Sequence, residues 1–315
     1  MANRILAFLS RLDALRSRAG PYRFLIRRWG EVTDVNLAAR VLETQCFERQ
    51  LEPVALPVES LRSLLVLAPH QDDEAIGAGG TLLLAQRAGV KRDVLFVTNG
   101  CSKGATSYAA SPDEVVRMRD SEAEDVCTEL GAGLLRLGIA NSRPKPGLAD
   151  LDRLAEILET LDPQVVLVPW LLDGPARHRM VHHLLWLAHR RCGLRDFEVW
   201  GYQVHNSLIP NGLVDITAVA DEKRALIERY RSQIEHVRRY DHIAMGMSAA
   251  NARFLPDYKA DPVARYVEAF FTLPLHEHLK LVESFYFRDW NQTYRGVRDV
   301  IDGMRTLHKA VVRTL

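Results

Sequence analysis

The chain has 315 residues, 47% of them hydrophobic, which is enough for one buried core with extensions. Lys and Arg total 41 against 40 Asp and Glu, so no overall charge favours nucleic acid as a partner. The four cysteines form no CxxC pair, and the apolar runs fall well below the roughly 20 residues of a membrane-spanning helix, which argues against a disulfide framework, a thiolate zinc site and a transmembrane segment.

The first 58 residues predict a basic, helical N-terminal extension. Seven arginines and one acidic residue, Asp13, lie among residues 1–30, and residues 2–18 carry apolar side chains at helical spacing. A further helix is predicted over residues 36–50, before Pro53 and Pro57. A basic amphipathic helix binds an anionic membrane surface or a partner protein, or it folds over the domain that follows. The sequence leaves these three alternatives open for residues 2–30 of an otherwise cytoplasmic protein.

Residues 59–275 show short apolar runs that alternate with longer amphipathic stretches. The predicted strands cover residues 64–68, 93–98, 134–138 and 165–169, followed by a pair at 198–204 and 213–217. The predicted helices cover residues 77–88, 112–130 and 151–161 and a stretch that begins at His178. This alternation is typical of a Rossmann-like, doubly wound α/β domain with a mostly parallel sheet and helices on both faces. The last two strands are predicted to pair antiparallel around Pro210-Asn211-Gly212, and residues 276–315 to form a C-terminal helical extension.

A polar cluster, Pro69-His70-Gln71-Asp72-Asp73-Glu74, follows the first predicted strand. In open α/β sheets the ligand site lies at the carboxyl ends of the strands. His70 and Asp73 offer the nitrogen and oxygen donors that zinc accepts, and a catalytic site needs a third ligand. We predict His178, because in doubly wound sheets the first strand neighbours the strand that opens the second half. His182, one helical turn further on, is the fallback ligand.

Two histidines and one carboxylate around a divalent cation polarise an acyl oxygen and lower the pKa of bound water. Asp72 is then free to act as general base, which requires only hydrogen-bond reach to that water. Taken alone, an Asp-Asp-Glu sequence after a strand is more often a helix cap. The adjoining His70, the glycines that open the next helix and the later His178 favour a metal-dependent hydrolase instead.

At these residues the chain resembles the PIG-L/LmbE-like zinc-dependent de-N-acetylase family, whose signature is Pro/Ala-His-Pro-Asp-Asp-Glu. The likeness continues through residues 79–81, 87–90, 97–100, 119–122, 130–131, 215–217, 223, 232–233 and 266–270. It implies one Zn²⁺ per chain, held at the positions of His70, Asp73 and His178, with Asp72 as general base. It also implies hydrolysis of the acetyl amide of an N-acetylglucosamine-type amino sugar in glycoconjugate biosynthesis.

Two positions depart from the family pattern. Gln71 replaces the signature proline, and Pro175 stands where the family has the first histidine of an Asp-x-His-x-x-His segment, which helps to stabilise the tetrahedral intermediate. Losing one oxyanion donor costs on the order of 10²–10³ in rate, so we expect another side chain to supply it. Our candidate is His205, at the end of a predicted strand; Arg177 and Arg179 are alternatives.

Three residues are predicted to contact the substrate. They are Arg119, Asn141 and Arg177, and Asn141 stands where many relatives have an acidic substrate-contacting residue. We therefore expect a substrate whose sugar or aglycone differs from that of these relatives.

Two other functions compete with deacetylation. The same ligand set suits an iron(II) oxygenase, and Fe²⁺ is the alternative metal, although the carboxylate beside the ligand Asp73 favours hydrolysis. A non-catalytic, glycan-binding or partner-binding member of the family is supported by Pro175. The joint presence of His70, Asp72, Asp73 and His178 argues against it.

Overall fold

A computed structural model of the chain describes residues 40–41, 44, 53–102, 109, 111–255 and 263–313. The helix predicted over residues 2–18, and with it the peripheral contact of residues 2–30, lies outside the described residues. The same holds for all but three residues of the helix predicted over 36–50.

The described residues contain eight strands that form one sheet. In chain order they are β1 (Val54–Ala55), β2 (Ser63–Ala68), β3 (Lys91–Thr98), β4 (Gly133–Ile139), β5 (Val165–Pro169), β6 (Glu198–Tyr202), β7 (Gly212–Asp215) and β8 (Val267–Pro274). Across the sheet the order is β1-β7-β8-β6-β5-β2-β3-β4. Strands β2 to β6 pair in parallel, and β8 runs antiparallel to both of its neighbours. The predicted mostly parallel α/β fold is confirmed.

Helices cover both faces of this sheet. They are α1 (Asp73–Arg87), α2 (Pro112–Leu130), α3 (Leu148–Leu161), α4 (Ala176–Cys192), α5 (Ala220–Glu228), α6 (Arg231–His236), α7 (Tyr240–Asn251), α8 (Leu275–Tyr286), α9 (Trp290–Thr293) and α10 (Arg298–Val312). Successive strand residues point to opposite faces, so Leu65 and Leu67 enter one apolar cluster while Leu64 and Val66 enter the other. The first cluster packs α3, α4, α8 and α10, and the second packs α1, α2 and α5.

The antiparallel pairing predicted between residues 198–204 and 213–217 is wrong. β8 lies between β6 and β7 and pairs antiparallel with each: Trp200 lies opposite Thr272, and Leu213 lies opposite Ala269. Most of β8 is buried, and a buried strand must satisfy its backbone groups on both edges. It does so by inserting between the two strands that we expected to meet.

The C-terminal helices belong to the same apolar cluster as α4, through residues such as Met304 and Leu307. The predicted boundaries at residues 58/59 and 275/276 stay predictions, although Val54 and Ala55 of the proposed extension already pair with β7. No helix within the described ranges has the length and apolar character needed to cross a membrane.

β2 and β5 lie side by side in parallel, at the point where the strand order reverses. This is where doubly wound sheets open a crevice at the carboxyl ends of their strands. The polar cluster after β2 and the residues before α4 therefore meet at one edge of the sheet.

Candidate active site

The turn from β2 into α1 brings the side chains of His70 and Asp73 together. Asp73 Oδ2 accepts the backbone N–H of His70 at 2.9 Å and lies 3.1 Å from His70 Nδ1. Asp73 is the first residue of α1 and is buried. The local turn thus fixes an imidazole and a carboxylate on one point, as the spacing of three residues predicts.

His178 reaches the same point from the first turn of α4. Its Nε2 lies 3.4 Å from Asp73 Oδ2, and its Nδ1 lies 2.8 Å from Oδ2 of the buried Asp173. The His178 and His70 ring centroids are 5.3 Å apart. The donor atoms of His70, Asp73 and His178 all lie within 4.8 Å of one another.

This set of donors fits a divalent cation. His178 Nε2 is buried and has no hydrogen-bond partner among the described residues. A buried polar atom without a partner costs free energy, which a metal bond would recover. Asp173 on the opposite ring nitrogen is the carboxylate–histidine arrangement that orients metal-bound histidines. Nitrogen and carboxylate oxygen donors are those that zinc accepts.

The electrostatic field at this point also favours positive charge. Burial alone would lower the pKa of His178, but Asp73 and the hydrogen-bonded Asp173 raise it to about 9. Burial alone would raise the pKa of Asp73, but His178 and His70 hold it below its usual range. Two carboxylates that favour an imidazolium would equally favour a bound cation.

Asp173, His178 and His205 form a second group of suitable donors. Both Asp173 oxygens are already engaged, however, because Oδ1 accepts the backbone N–H groups of His205 and Asn206 and Oδ2 faces His178 Nδ1. Asp173 therefore fits an orienting role better than that of a ligand.

Asp72 is the N-cap residue of α1 and has an unusual backbone conformation. Its φ of 143° lies in a region that non-glycine residues seldom adopt, at a cost of roughly 1–3 kcal/mol. Its side chain makes no capping hydrogen bond to α1 within the described chain, so side-chain capping does not account for this carboxylate. Its backbone N–H donates to the buried Glu74 at 3.3 Å, and Tyr230 donates to the same carboxyl group. These contacts stabilise the strained turn.

Arg119 of α2 holds the Asp72 side chain. One guanidinium nitrogen lies 3.2 Å from Asp72 Oδ1 and also donates to the Gln71 carbonyl at 2.6 Å. Burial raises the pKa of Asp72 well above its usual range, while Arg119 opposes this shift. Arg119, predicted to contact substrate, therefore also orients the predicted base.

A cavity of about 160 Å³ opens over these groups. Its lining combines predicted and unpredicted residues: His70, Asp72, Asp73, Ile76, Ser102, Arg119, Asn141, His205, Gln233 and Tyr240. Arg177 is not among these lining residues of the described chain. Its guanidinium donates to the Asn141 carbonyl at 2.8 and 3.0 Å, so it lies behind Asn141, whose Oδ1 is 3.1 Å from His70 Nε2.

His205 follows β6. The prediction that His205 faces the metal site required β6 to lie beside β5, and the two strands do pair. Its ring centroid lies 5.2 Å from that of His178 and 6.1 Å from that of Tyr240. Pro175 precedes α4 and contributes only its carbonyl, which accepts the His178 N–H at 3.1 Å. Of the two residues, His205 and not Pro175 lines the cavity, and an imidazole is a side chain that can donate a hydrogen bond.

Asp173, Gln233 and Tyr240 are among the site residues that the sequence analysis did not name as candidates. Asp173 stands five residues before His178, and the need of a metal-bound histidine for a carboxylate partner could have found it. Gln233 and Tyr240 come from α6 and α7, far along the chain. Only the likeness at residues 232–233 pointed there, because no local pattern reveals which helix ends reach the cavity.

Part of the chain matches a known protein family. The profile of the PIG-L family, described as GlcNAc-PI de-N-acetylase, matches residues 65–189, which include His70, Asp73 and His178. Residues 65–189 therefore match a PIG-L domain. Diacetylchitobiose deacetylase from Thermococcus kodakarensis is 26% identical over 196 residues, which are 56% of this chain and 72% of that protein.

Two solved structures share the fold of the PIG-L domain. N,N'-diacetylchitobiose deacetylase from Pyrococcus horikoshii is 22% identical with a TM-score of 0.57, over 76% of this chain and 93% of that one. GalB, the 4-carboxy-2-hydroxymuconate hydratase from Pseudomonas putida KT2440, is 23% identical with a TM-score of 0.57, over 68% and 96%. One fold thus serves a deacetylase and a hydratase, so the reaction must be argued from the site.

Proposed function

We propose that this chain is a metal-dependent N-deacetylase that hydrolyses the acetyl amide of an N-acetylglucosamine-type amino sugar. The observation that carries the proposal is the convergence of His70, Asp73 and His178 within 4.8 Å beside the carboxylate of Asp72. The deacetylase relative and the description of the matching family support the reaction and the substrate class.

We assign the metal, Zn²⁺ in the first instance, to His70, Asp73 and His178. A divalent cation held there supplies a Lewis acid for the acetyl carbonyl and lowers the pKa of water at the site. Asp173 supports this assignment, because its carboxylate keeps the His178 proton on Nδ1 and leaves Nε2 free to bind. Asn141 Oδ1 acts on His70 in the same way: it keeps the proton of that ring on Nε2 and leaves Nδ1 free to bind.

Asp72 is the general base in this proposal. It takes a proton from water while the water oxygen bonds to the acetyl carbon, and it returns that proton to the amine nitrogen as the carbon–nitrogen bond breaks. The products are acetate and the free amino sugar. Arg119 keeps the Asp72 carboxylate directed toward the cavity through its contact with Oδ1.

His205 is the proposed donor to the oxygen that becomes negative as water adds to the carbonyl. Pro175 has neither a side-chain donor nor a backbone N–H, whereas His205 lines the cavity within ring contact of His178. Preorganised donors of this kind are often the largest single contribution to catalysis. Arg119 and Asn141 are proposed to contact the sugar directly, and Arg177 acts on it through Asn141.

Hydration is the second candidate, because GalB shares the fold. A hydratase adds water across a carbon–carbon double bond and releases no acetate. The test is to incubate metal-free protein with Zn²⁺ or Fe²⁺ under nitrogen, with N-acetylglucosamine and N,N'-diacetylchitobiose as substrates, and to measure acetate and free amine. Equal yields of both products support deacetylation. Turnover that begins only when air is admitted to the Fe²⁺ sample supports the oxygenase instead. Bound sugar without acetate supports the hydratase or the non-catalytic alternative.

A further inference from the structure

The C-terminal helix α10 contacts the loop that follows β4 at two points. Asp299 Oδ2 accepts the backbone N–H of Arg143 at 3.3 Å. One turn later, a Cβ atom added to Gly303 would lie 2.1 Å from the Pro144 carbonyl oxygen, so the helix backbone rests directly against the loop. This loop includes Asn141, which lines the catalytic cavity, whereas α10 lies outside the matched residues 65–189.

A continuous set of hydrogen bonds joins α10 to His70. Asp299 Oδ2 accepts from Arg177 Nη2 at 3.0 Å. The same Arg177 nitrogen donates to the Asn141 carbonyl at 2.8 Å, and Nε donates to it at 3.0 Å. Asn141 Oδ1 then lies 3.1 Å from His70 Nε2. Arg177 is thus held between Asp299 and Asn141, and Asn141 is held between Arg177 and His70.

The loop and α10 together line a cavity of about 670 Å³. Residues 143–146 form one side of it, and Asp299, Asp302 and Thr306 lie on the other. Arg143 has a φ of 58°, a left-handed conformation that needs outside contacts to hold it. Asp299 supplies one such contact and the close approach at Gly303 supplies another.

We propose that Asp299 is a positioning residue for the metal site: through Arg177 and Asn141 it sets the orientation of the His70 ring. The inference rests on the proposed function, in which His70 is a metal ligand. It gives the C-terminal helices a part in catalysis without any contact with substrate. It also explains why Arg177 turns its guanidinium away from the cavity.

The test compares Asp299→Ala with Asp302→Ala, a matched loss of charge one turn further along α10 at an exposed position. Zn²⁺ affinity is measured by competition with a chelator, and kcat/KM is measured by acetate release at saturating Zn²⁺. Energetic coupling through such a network leads us to expect an affinity loss on the order of tenfold for Asp299→Ala and none for Asp302→Ala. Asp299→Asn retains an acceptor oxygen and should recover part of the affinity.

A double-mutant cycle separates this role from a general loss of stability. If Asp299 acts through Asn141, its substitution in an Asn141→Ala background should change Zn²⁺ affinity less than about twofold, because the link to His70 is already lost. If Asp299→Ala does not fold, Gly303→Ala serves instead. Alanine is the better helix former, yet it must push the Pro144 carbonyl away, so we expect reduced affinity there too.

Two results would overturn the positioning role. One is parental Zn²⁺ affinity in the Asp299→Ala and Gly303→Ala variants. The other is a loss from Asp299→Ala that is the same with and without Asn141. A parent protein that neither binds Zn²⁺ nor releases acetate would instead refute the proposed function, so the two failures are distinguishable.

Discussion

Replacing Asp173 with asparagine changes one atom of a fully buried side chain and should disable the metal site. Asp173 Oδ2 lies 2.8 Å from His178 Nδ1, while Oδ1 accepts the backbone N–H groups of His205 and Asn206 at 3.2 and 3.0 Å. In Asp173→Asn the amide oxygen can keep both backbone hydrogen bonds. The amide NH₂ group then faces His178.

The effect of this change on metal binding follows from the two tautomers of a neutral imidazole. Facing a donor, His178 must accept at Nδ1 and carry its proton on Nε2, the atom that points toward Asp73. A protonated Nε2 cannot bind metal. Loss of such a supporting carboxylate typically lowers metal affinity about 10- to 100-fold, or about 1.4 to 2.7 kcal/mol. The metal-free protein loses one charged hydrogen bond, so its Tm should fall by only a few degrees.

The assay is Zn²⁺ competition with a chelator, together with calorimetry of the metal-free protein. Asp196→Asn is the matched control, because Asp196 pairs with His276 Nδ1 at 3.0 Å in the same manner but at the exposed surface. We expect parental affinity for Asp196→Asn. Parental affinity for Asp173→Asn would refute the assignment of His178 Nε2 as a metal donor.

Three further predictions concern stability and turnover. Glu268 has a buried carboxylate that accepts hydrogen bonds from Gly80 and Thr81 and pairs with Lys223 at 2.7 Å. Glu268→Ala should therefore lower the free energy of unfolding, measured in urea, by about 3–5 kcal/mol. A loss below about 1 kcal/mol would contradict this prediction. Burial lowers the pKa of His278 from 6.5 to about 3, so protonation favours the unfolded chain. The free energy of unfolding should therefore fall from pH 6.5 toward pH 3 by up to about 1.4 kcal/mol per pH unit. In urea titrations at pH 7 and pH 5 it should fall less for His278→Gln than for the parent protein, and an equal fall would contradict this prediction. His205→Ala should retain Zn²⁺ and lose on the order of 10²–10³ in kcat; a twofold loss would assign the oxyanion to other groups.

The parallel part of the fold is predictable because each strand carries its own signal. The apolar run at 165–169 is the strand β5 with the predicted bounds, and its place beside β2 follows from the common doubly wound order. The position of β8 is not predictable in this way. Its insertion between β6 and β7 depends on pairing with residues about 55–75 positions away, which no local pattern encodes.

The same contrast holds at the candidate site. His70, Asp73 and His178 could be brought together by reasoning, since two lie on one turn and the third follows a neighbouring strand. The approach of Tyr240 to the cavity depends on the packing of α7 over the strand ends. The contact of Asp299 with Arg177 depends likewise on how α10 lies across the loop after β4.

The central claim is that His70, Asp73 and His178 bind a metal while Asp72 moves the proton. The most direct measurement is Zn²⁺ content and acetate release, made side by side on Asp72→Asn and Asp73→Ala. We expect Asp72→Asn to carry one Zn²⁺ per chain and to lose on the order of 10²–10⁴ in kcat, and Asp73→Ala to lose both metal and turnover. A metal-free Asp72→Asn beside a metal-loaded Asp73→Ala would contradict the account and exchange the two roles.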